Sequence, residues 1–375
     1  YNWHQVQSIK KRTNKINCLN MKDLKVNEES TLKNKWINFK AENPKIRIRD
    51  AAKLLKTTEA ELLATSCNEN TTRLDANISD FLAKEIPKLG KVKALTRNDE
   101  VVHERNGAYL NPSFGKNAHV GLFVGEDIDL RVFLSHWKFV FAVTEVARAQ
   151  ERFSIQFFSK NGSAIHKIYL IKESNIEAFF KIKETFKHKI QGIEKGEINL
   201  EEVVGEKRNE NPDQEKFKID WLNLKDTHAF FPLMKKHGVS RLQALELAPE
   251  KDGIQYAKKV SNDVIKKALE KTAERSTPIM VFVGNKGMLQ IHTGPVKKLL
   301  EMKEWYNVMD PEFNLHIRTN SIKECWLVKK PTSDGAINSI EVFNLNEELV
   351  CTFFGKRKPG IPEDKNWTKI VNELA

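Results

Sequence analysis

Ser154-Ile155-Gln156-Phe157-Phe158 returns as Ser339-Ile340-Glu341-Val342-Phe343, 185 residues further along the chain. At the same spacing Leu130 meets Leu315 and Tyr169 meets Phe354; at 187 residues Asn98 and Gly107 meet Asn285 and Gly294. Agreement so nearly free of gaps over this distance indicates one large unit present twice, not a small-repeat solenoid. Each copy opens with helical spacing and continues as hairpins. The expected fold is therefore α+β: two similar halves, each an antiparallel sheet with helices. A cleft between two such halves is a favoured place for a ligand.

The first copy supplies the detail. Leu32, Trp36 and Phe39 stand at i, i+4, i+7, one face of a helix, and Asn43-Pro44 ends it. Arg49 to Leu55 and Glu59 to Ala64 read as two short helices, with Thr58-Glu59-Ala60-Glu61 as a capping box. The pair resembles a helix-turn-helix, but the second helix carries Glu59 and Glu61 and no Arg or Lys, which suits a phosphate-lined groove badly. Residues 90–171 read as strands. Asn98-Asp99 and Lys160-Asn161-Gly162 are hairpin turns, the second the stronger signal. Between them Ile128 to Leu134 alternates, so Arg131 shares a strand face with Asp129 and Phe133. Taken alone, Arg131 reads as a rim cation paired with a carboxylate. Residues 172–190 return to helical spacing, and 191–218, rich in Glu, Lys and Asn with Gly205 and Pro212, read as a mobile connector. The chain divides into a basic, disordered extension (1–29), a first repeat (30–190), a polar linker (191–218) and a second repeat (219–375).

Composition narrows the classes. Of 375 residues 40% are hydrophobic and 30% charged, enough for a real core. No run approaches the ~18 apolar residues of a membrane span, and no charged-then-apolar start with a cleavage site suggests secretion. Cys18, Cys67, Cys325 and Cys351 form no CxxC or CxxCH, which argues against a disulfide framework, a zinc ribbon and covalent c-type haem. A reducing cytoplasm fits best. The net charge of +12 raises nucleic acid or an anionic ligand as partners. Residues 1–48 hold 11 Lys or Arg against 4 Asp or Glu, so most of that excess belongs to the N-terminal segment.

The second half opens on Asp226-Thr227-His228-Ala229-Phe230-Phe231-Pro232-Leu233-Met234-Lys235-Lys236-His237-Gly238. Asp226 is a good N-cap and Gly238 a good residue just past a helix end. His228 then sits in the first turn, where the helix dipole disfavours an imidazolium and a nitrogen lone pair stays available to a metal. A single His near a helix start is more often a capping or surface residue. No second His, Cys or carboxylate lies at zinc-site spacing, whereas a haem iron needs only one axial imidazole. Pro232 lacks the N–H that the His228 carbonyl would use in such a helix, so the helix is kinked or begins later.

The words Thr227-His228-Ala229-Phe230-Phe231, Val281-Phe282-Val283-Gly284-Asn285-Lys286-Gly287, Gln290-Ile291-His292-Thr293-Gly294 and Lys329-Lys330-Pro331-Thr332-Ser333-Asp334-Gly335 come in this order. Ala94-Leu95-Thr96-Arg97-Asn98 and Asp129-Leu130-Arg131 precede them. Together they resemble the cytoplasmic haemin transport and haemin-degrading proteins of bacteria (HemS/ChuS/HmuS type), from about Leu32 to the C-terminus. The resemblance implies haem b as ligand in the cleft. It makes His228 the axial ligand and Arg131 the distal arginine on the other haem face. Arg241 and Lys330 become basic residues near the propionates, where charge-assisted donors suit carboxylates. Phe354 stands where such proteins carry a Tyr, and Thr352 where a Gln is common. His237 and His292 are the reserve candidates for ligation.

Two functions follow from the resemblance: a carrier that takes haem after import and passes it on, and an oxygen-dependent degrading enzyme in which Arg131 is the catalytic distal residue. The chain has no GxGxxG for flavin or nicotinamide, so electrons for degradation come from an external donor. The implied partners are haem, a haem importer at the inner membrane and a haem-accepting or electron-donating protein. A DNA-binding regulator is the weakest reading, and membrane insertion is not expected.

Overall fold

The computed structural model describes residues 31–115, 119–147, 150–200, 206–358 and 360–375. The N-terminal extension and Cys18 lie outside them. Two nine-stranded antiparallel sheets dominate. The first runs Thr71–Leu74, Trp137–Ala147, Gln150–Ser159, Ala164–Ser174, Gly90–Arg97, Val101–Ala108, Phe313–Arg318, Trp305–Met309, Leu299–Met302. The second runs Ala257–Val260, Ile322–Lys330, Ile337–Asn344, Leu349–Gly355, Ile279–Gly284, Met288–Gly294, Asp129–Phe133, Val120–Val124, Pro112–Ser113.

The duplication is visible in the registers. Ser154 pairs with Tyr169 and Ser339 with Phe354. Leu130 faces Gln290 as Leu315 faces His103. Sequence reading did not anticipate that each half lends three strands to the other's sheet. The last three strands of the second sheet come from the first half, and the last three of the first sheet come from the second half. Each arm buries its apolar side: Leu130 and Val132, and on the other arm Leu315 and Ile317, are fully covered. Burial of one such side chain is worth about 1.5–3 kcal/mol, so the exchange is held by packing as well as by ladders.

Strand alternation gives each sheet two faces. The inner face of the first sheet packs on the helices Ile78–Lys84 and Ile176–Thr185, through Phe81, Phe179, Ile155 and Phe157. That of the second packs on Val264–Glu274 and Lys365–Leu374, through Leu269, Trp367, Val342 and Phe353. Three short helices cap part of each outer face. Leu32–Glu42, Ile48–Leu54 and Glu59–Ala64 sit over the first sheet. Gln214–Leu222, Phe230–His237 and Arg241–Glu246 sit over the second. The expected capping box at Thr58 and Glu61 is present. No described helix is long and apolar enough to cross a membrane.

The connector read at 191–218 is tied down over its described start. Gln191 exchanges two hydrogen bonds with the backbone of Arg73, and Glu197 takes the Arg73 guanidinium at 2.8 Å. Its end is already helix from Gln214.

Candidate functional site

The outer face of the second sheet assembles the residues of interest, because residues paired across an antiparallel ladder share a face. Arg131 stands opposite Leu289, Phe282 opposite Thr352, and Met280 opposite Phe354. Thr352 and Phe354 stand in turn opposite Glu341 and Ser339. Arg131 belongs to the first half and reaches this face only through the exchanged arm, three strands away from Phe354. Its guanidinium lies against the Asp129 carboxylate, the neighbour that alternation put on the same strand face. Between Arg131 and the cap lies a half-buried apolar row of Leu289, Met280, Phe282 and Phe354. The Phe282 and Phe354 rings meet edge to face at 5.1 Å. Ser339 Oγ, across the ladder from Phe354, is buried without a hydrogen-bond partner among the described residues.

His228 stands at the edge of the cap, not inside an α-helix. Thr227–Ala229 form one 3-10 turn and the α-helix begins at Phe230, three residues later than an N-cap at Asp226 implies, which is the later start that Pro232 signalled. Pro232 falls in the helix's first turn, where its missing N–H has no partner to lose. Asp226 caps the turn as expected. One carboxylate oxygen accepts the His228 backbone N–H at 2.7 Å and lies 2.6 Å from the ring Nδ1. The backbone N–H first, and then the ring, hold the Asp226 carboxyl below its ordinary range. With Nδ1–H given to the carboxylate, the lone pair is on Nε2, and the side chain is 89% exposed. Asp226, not the helix dipole, orients this imidazole. The turn is tied to the sheet: Lys225 O accepts from Ser333 N at 2.9 Å, and Arg357 donates to Thr227 Oγ1 at 3.5 Å. At its far end the helix stops at Gly238, in the left-handed region at φ 63°.

Behind the turn lies an ion triad that sequence reading missed. Glu341, fully buried, accepts two bonds from Arg241 at 2.7 and 3.0 Å and one from Lys330 at 2.6 Å. Burial alone would raise the Glu341 carboxyl, but the two cations outweigh it and hold its pKa at about 2. Burial first, then Arg241, pull Lys330 down to about 8 against the attraction of Glu341. Both cations lie over the Phe230 ring, at 4.3 Å for Lys330 and 5.5 Å for Arg241. Lys330 is 2% exposed, while Arg241 keeps one guanidinium nitrogen outside the Glu341 contact. The available signal was the repeated word itself, which puts a carboxylate at Glu341 where the first copy has Gln156.

The reserve histidines are elsewhere. His237 is covered and bonded to Asp220 through Nε2 at 2.8 Å. His292 faces the interior, stacked on Phe313 at 3.6 Å, with its pKa lowered by burial to about 3. The helix pair that resembled a DNA reader is folded onto the sheet: Glu59 is buried and clasps Arg97 at 2.6 and 2.7 Å.

Fold and site together define a duplicated, strand-exchanged α+β protein with an oriented imidazole beside an apolar sheet face and a buried cationic triad. The chain belongs to the family of the haemin-degrading HemS.ChuX domain, which matches twice, over residues 56–186 and 238–374. It is 33% identical to the hemin transport protein HemS of Yersinia enterocolitica, over 90% of this chain and 96% of that protein. The structure of holo-PhuS, a heme-binding protein from Pseudomonas aeruginosa, superposes with a TM-score of 0.84 at 39% identity, covering 91% of this chain and 97% of that one. The Escherichia coli O157:H7 heme degrading enzyme ChuS gives 0.82 at 34% identity, over 90% and 97%.

Proposed function

We propose that this chain is a cytoplasmic haem-binding protein of iron acquisition, which takes haem b from an importer and carries it or degrades it. The observation that carries this reading is His228, whose Nδ1 is held by Asp226 while Nε2 faces outward. A metal-ligating histidine ordinarily gives its other nitrogen to a carboxylate or carbonyl in this way. The residues around it fit a porphyrin. The row Leu289, Met280, Phe282 and Phe354 offers apolar contact for the macrocycle. The triad carries two cations and one anion, so a net positive charge and the spare Arg241 nitrogen favour a carboxylate at the cap.

Bound haem supplies an iron whose reaction with dioxygen, given electrons from an external donor, opens the ring. The chain's own part is binding and orientation. Asp226 fixes the His228 tautomer and aim. Arg131, itself steadied by Asp129, offers N–H donors to an anion on the sheet side. Glu341 keeps Arg241 and Lys330 in place against the Phe230 ring. Phe354 supplies an aromatic edge without the hydroxyl that a Tyr would add, so the haem edge loses one polar contact. Titration of the protein with hemin, followed by reductant in air, tests the reading. A stable Soret band means carriage, loss of the band with release of iron means degradation, and no band overturns both.

A further inference from the structure

Residues 206–209 of the connector form a strap over the elbow between the helices Phe230–His237 and Arg241–Glu246. Asn209 and Gln243 exchange two bonds across it. Asn209 N donates to Gln243 Oε1 at 2.8 Å, and Gln243 Nε2 donates to Asn209 O at 2.7 Å. The Asn209 amide donates to His237 O at 2.8 Å, where the first of these helices stops. Arg208 reaches Glu246 on the second helix and, at 3.2 Å, Glu347 in the turn between the strands Ile337–Asn344 and Leu349–Gly355. The strap is therefore fastened to both helices of the elbow and to the sheet beneath them.

This fastening holds one carboxylate beside Arg241. Glu206 is exposed and accepts the Arg241 backbone N–H at 2.7 Å. It stops short of the guanidinium, whose ion pair is with Glu341 through Nε and Nη2. Nη1 has no partner among the described residues. Burial works against the charge on Arg241, but Glu341, and after it Glu206, hold its pKa above the ordinary value. The field of Glu206 thus reaches the guanidinium without closing a bond to it. Arg241, Lys330 and Glu341 are together net positive, and Glu206 cancels that excess. A ligand carboxylate that approaches Nη1 meets an anion already at its side, and like charges so placed repel. The helix start needs only an acceptor for the Arg241 N–H. The negative charge on that acceptor acts on the ligand.

We propose that Glu206 is a built-in competitor of the haem propionate at Arg241, whose charge lowers haem affinity and eases release of the bound haem. This rests on the reading of Arg241 as a propionate partner, and it does not depend on His228. The test measures hemin affinity and dissociation rate on the full chain. Glu206→Gln keeps an oxygen for the Arg241 N–H and removes only the charge. It should bind hemin about tenfold more tightly and release it more slowly, with an unchanged Tm. The gain should shrink as salt is raised, because Glu206 is exposed. It should vanish with the dimethyl ester of hemin, whose propionates carry no charge. Equal hemin affinity in wild type and Glu206→Gln overturns the inference. Weaker binding in Glu206→Gln overturns it too, and makes Glu206 an ordinary anion at a helix start. Arg241→Ala separates this failure from that of the site reading. If it weakens hemin binding while Glu206→Gln changes nothing, only the inference falls. If wild type and Arg241→Ala bind hemin alike, or wild type binds none, the propionate reading of Arg241 falls and takes the inference with it.

Discussion

Asn98 and Asn285 hold the two halves together by the same contacts made in opposite directions. The Asn98 amide donates to the carbonyls of Gly284 and Val350, at 3.1 and 2.7 Å. The Asn285 amide donates to those of Arg97 and Ile165, at 2.9 and 2.8 Å. Each side-chain oxygen meanwhile closes its own hairpin turn, on Glu100 and Val101 N–H in one case and Gly287 and Met288 N–H in the other. Replacement of either by Ala strands carbonyls in the joint, which costs roughly 1–3 kcal/mol for each group left without a partner. Denaturant unfolding of N98A and N285A should give matching losses of about that size, and a loss under 0.5 kcal/mol in either would contradict the joint.

His228→Ala should remove or strongly weaken the histidine-ligated haem spectrum, while His237→Ala should leave it intact. His237 is covered and already engaged by Asp220. Residual porphyrin binding is expected from the apolar row and the triad. A wild-type Soret band and wild-type affinity in H228A would place the ligand elsewhere.

Asp226→Ala removes the acceptor that sets the His228 tautomer and also the cap of its turn. Loss of such a supporting partner ordinarily lowers metal-site affinity about 10–100-fold. Asp226→Asn keeps the cap and an acceptor oxygen, and should recover part of that affinity. Equal affinities in wild type and D226A would separate Asp226 from the site.

Arg131→Ala should retain haem yet bind small anions such as azide more weakly, by roughly tenfold, the worth of one charge-assisted hydrogen bond. Azide titration of the ferric haem complex measures this. Unchanged azide affinity would leave Arg131 as a strand-rim partner of Asp129 and nothing more.

Glu341 makes stability depend on acid. Its pKa is about 2 in the folded chain against an ordinary 4.5. Between those values the unfolded chain binds a proton that the folded one refuses. Its contribution is therefore complete above about pH 4.5 and is lost as pH falls toward 2. Glu341→Gln should flatten that part of the Tm–pH profile. At neutral pH it should cost about 3–5 kcal/mol, because Arg241 and Lys330 lose their buried counter-charge. An E341Q profile parallel to wild type would rule this out.

Local rules and comparison of the chain with itself reach part of this fold. The duplication, both hairpin turns, the Thr58–Glu61 capping box, the Gly238 stop and the pairing of Arg131 with Asp129 all follow from neighbours or from a fixed offset. Which strands pair across the two halves is settled by the folded chain alone. Alternation says that Asp129–Phe133 has one buried face, but which strand of the other half it pairs with is a non-local choice. That choice carries Arg131 onto the sheet of Phe354 and, by the same exchange, Phe313–Arg318 onto the sheet of the first half. It also decided which charges are free. Nothing local pairs Lys330 or Arg241 with an acid, yet the fold brings the fully buried Glu341 between them, where a charge must find its opposite.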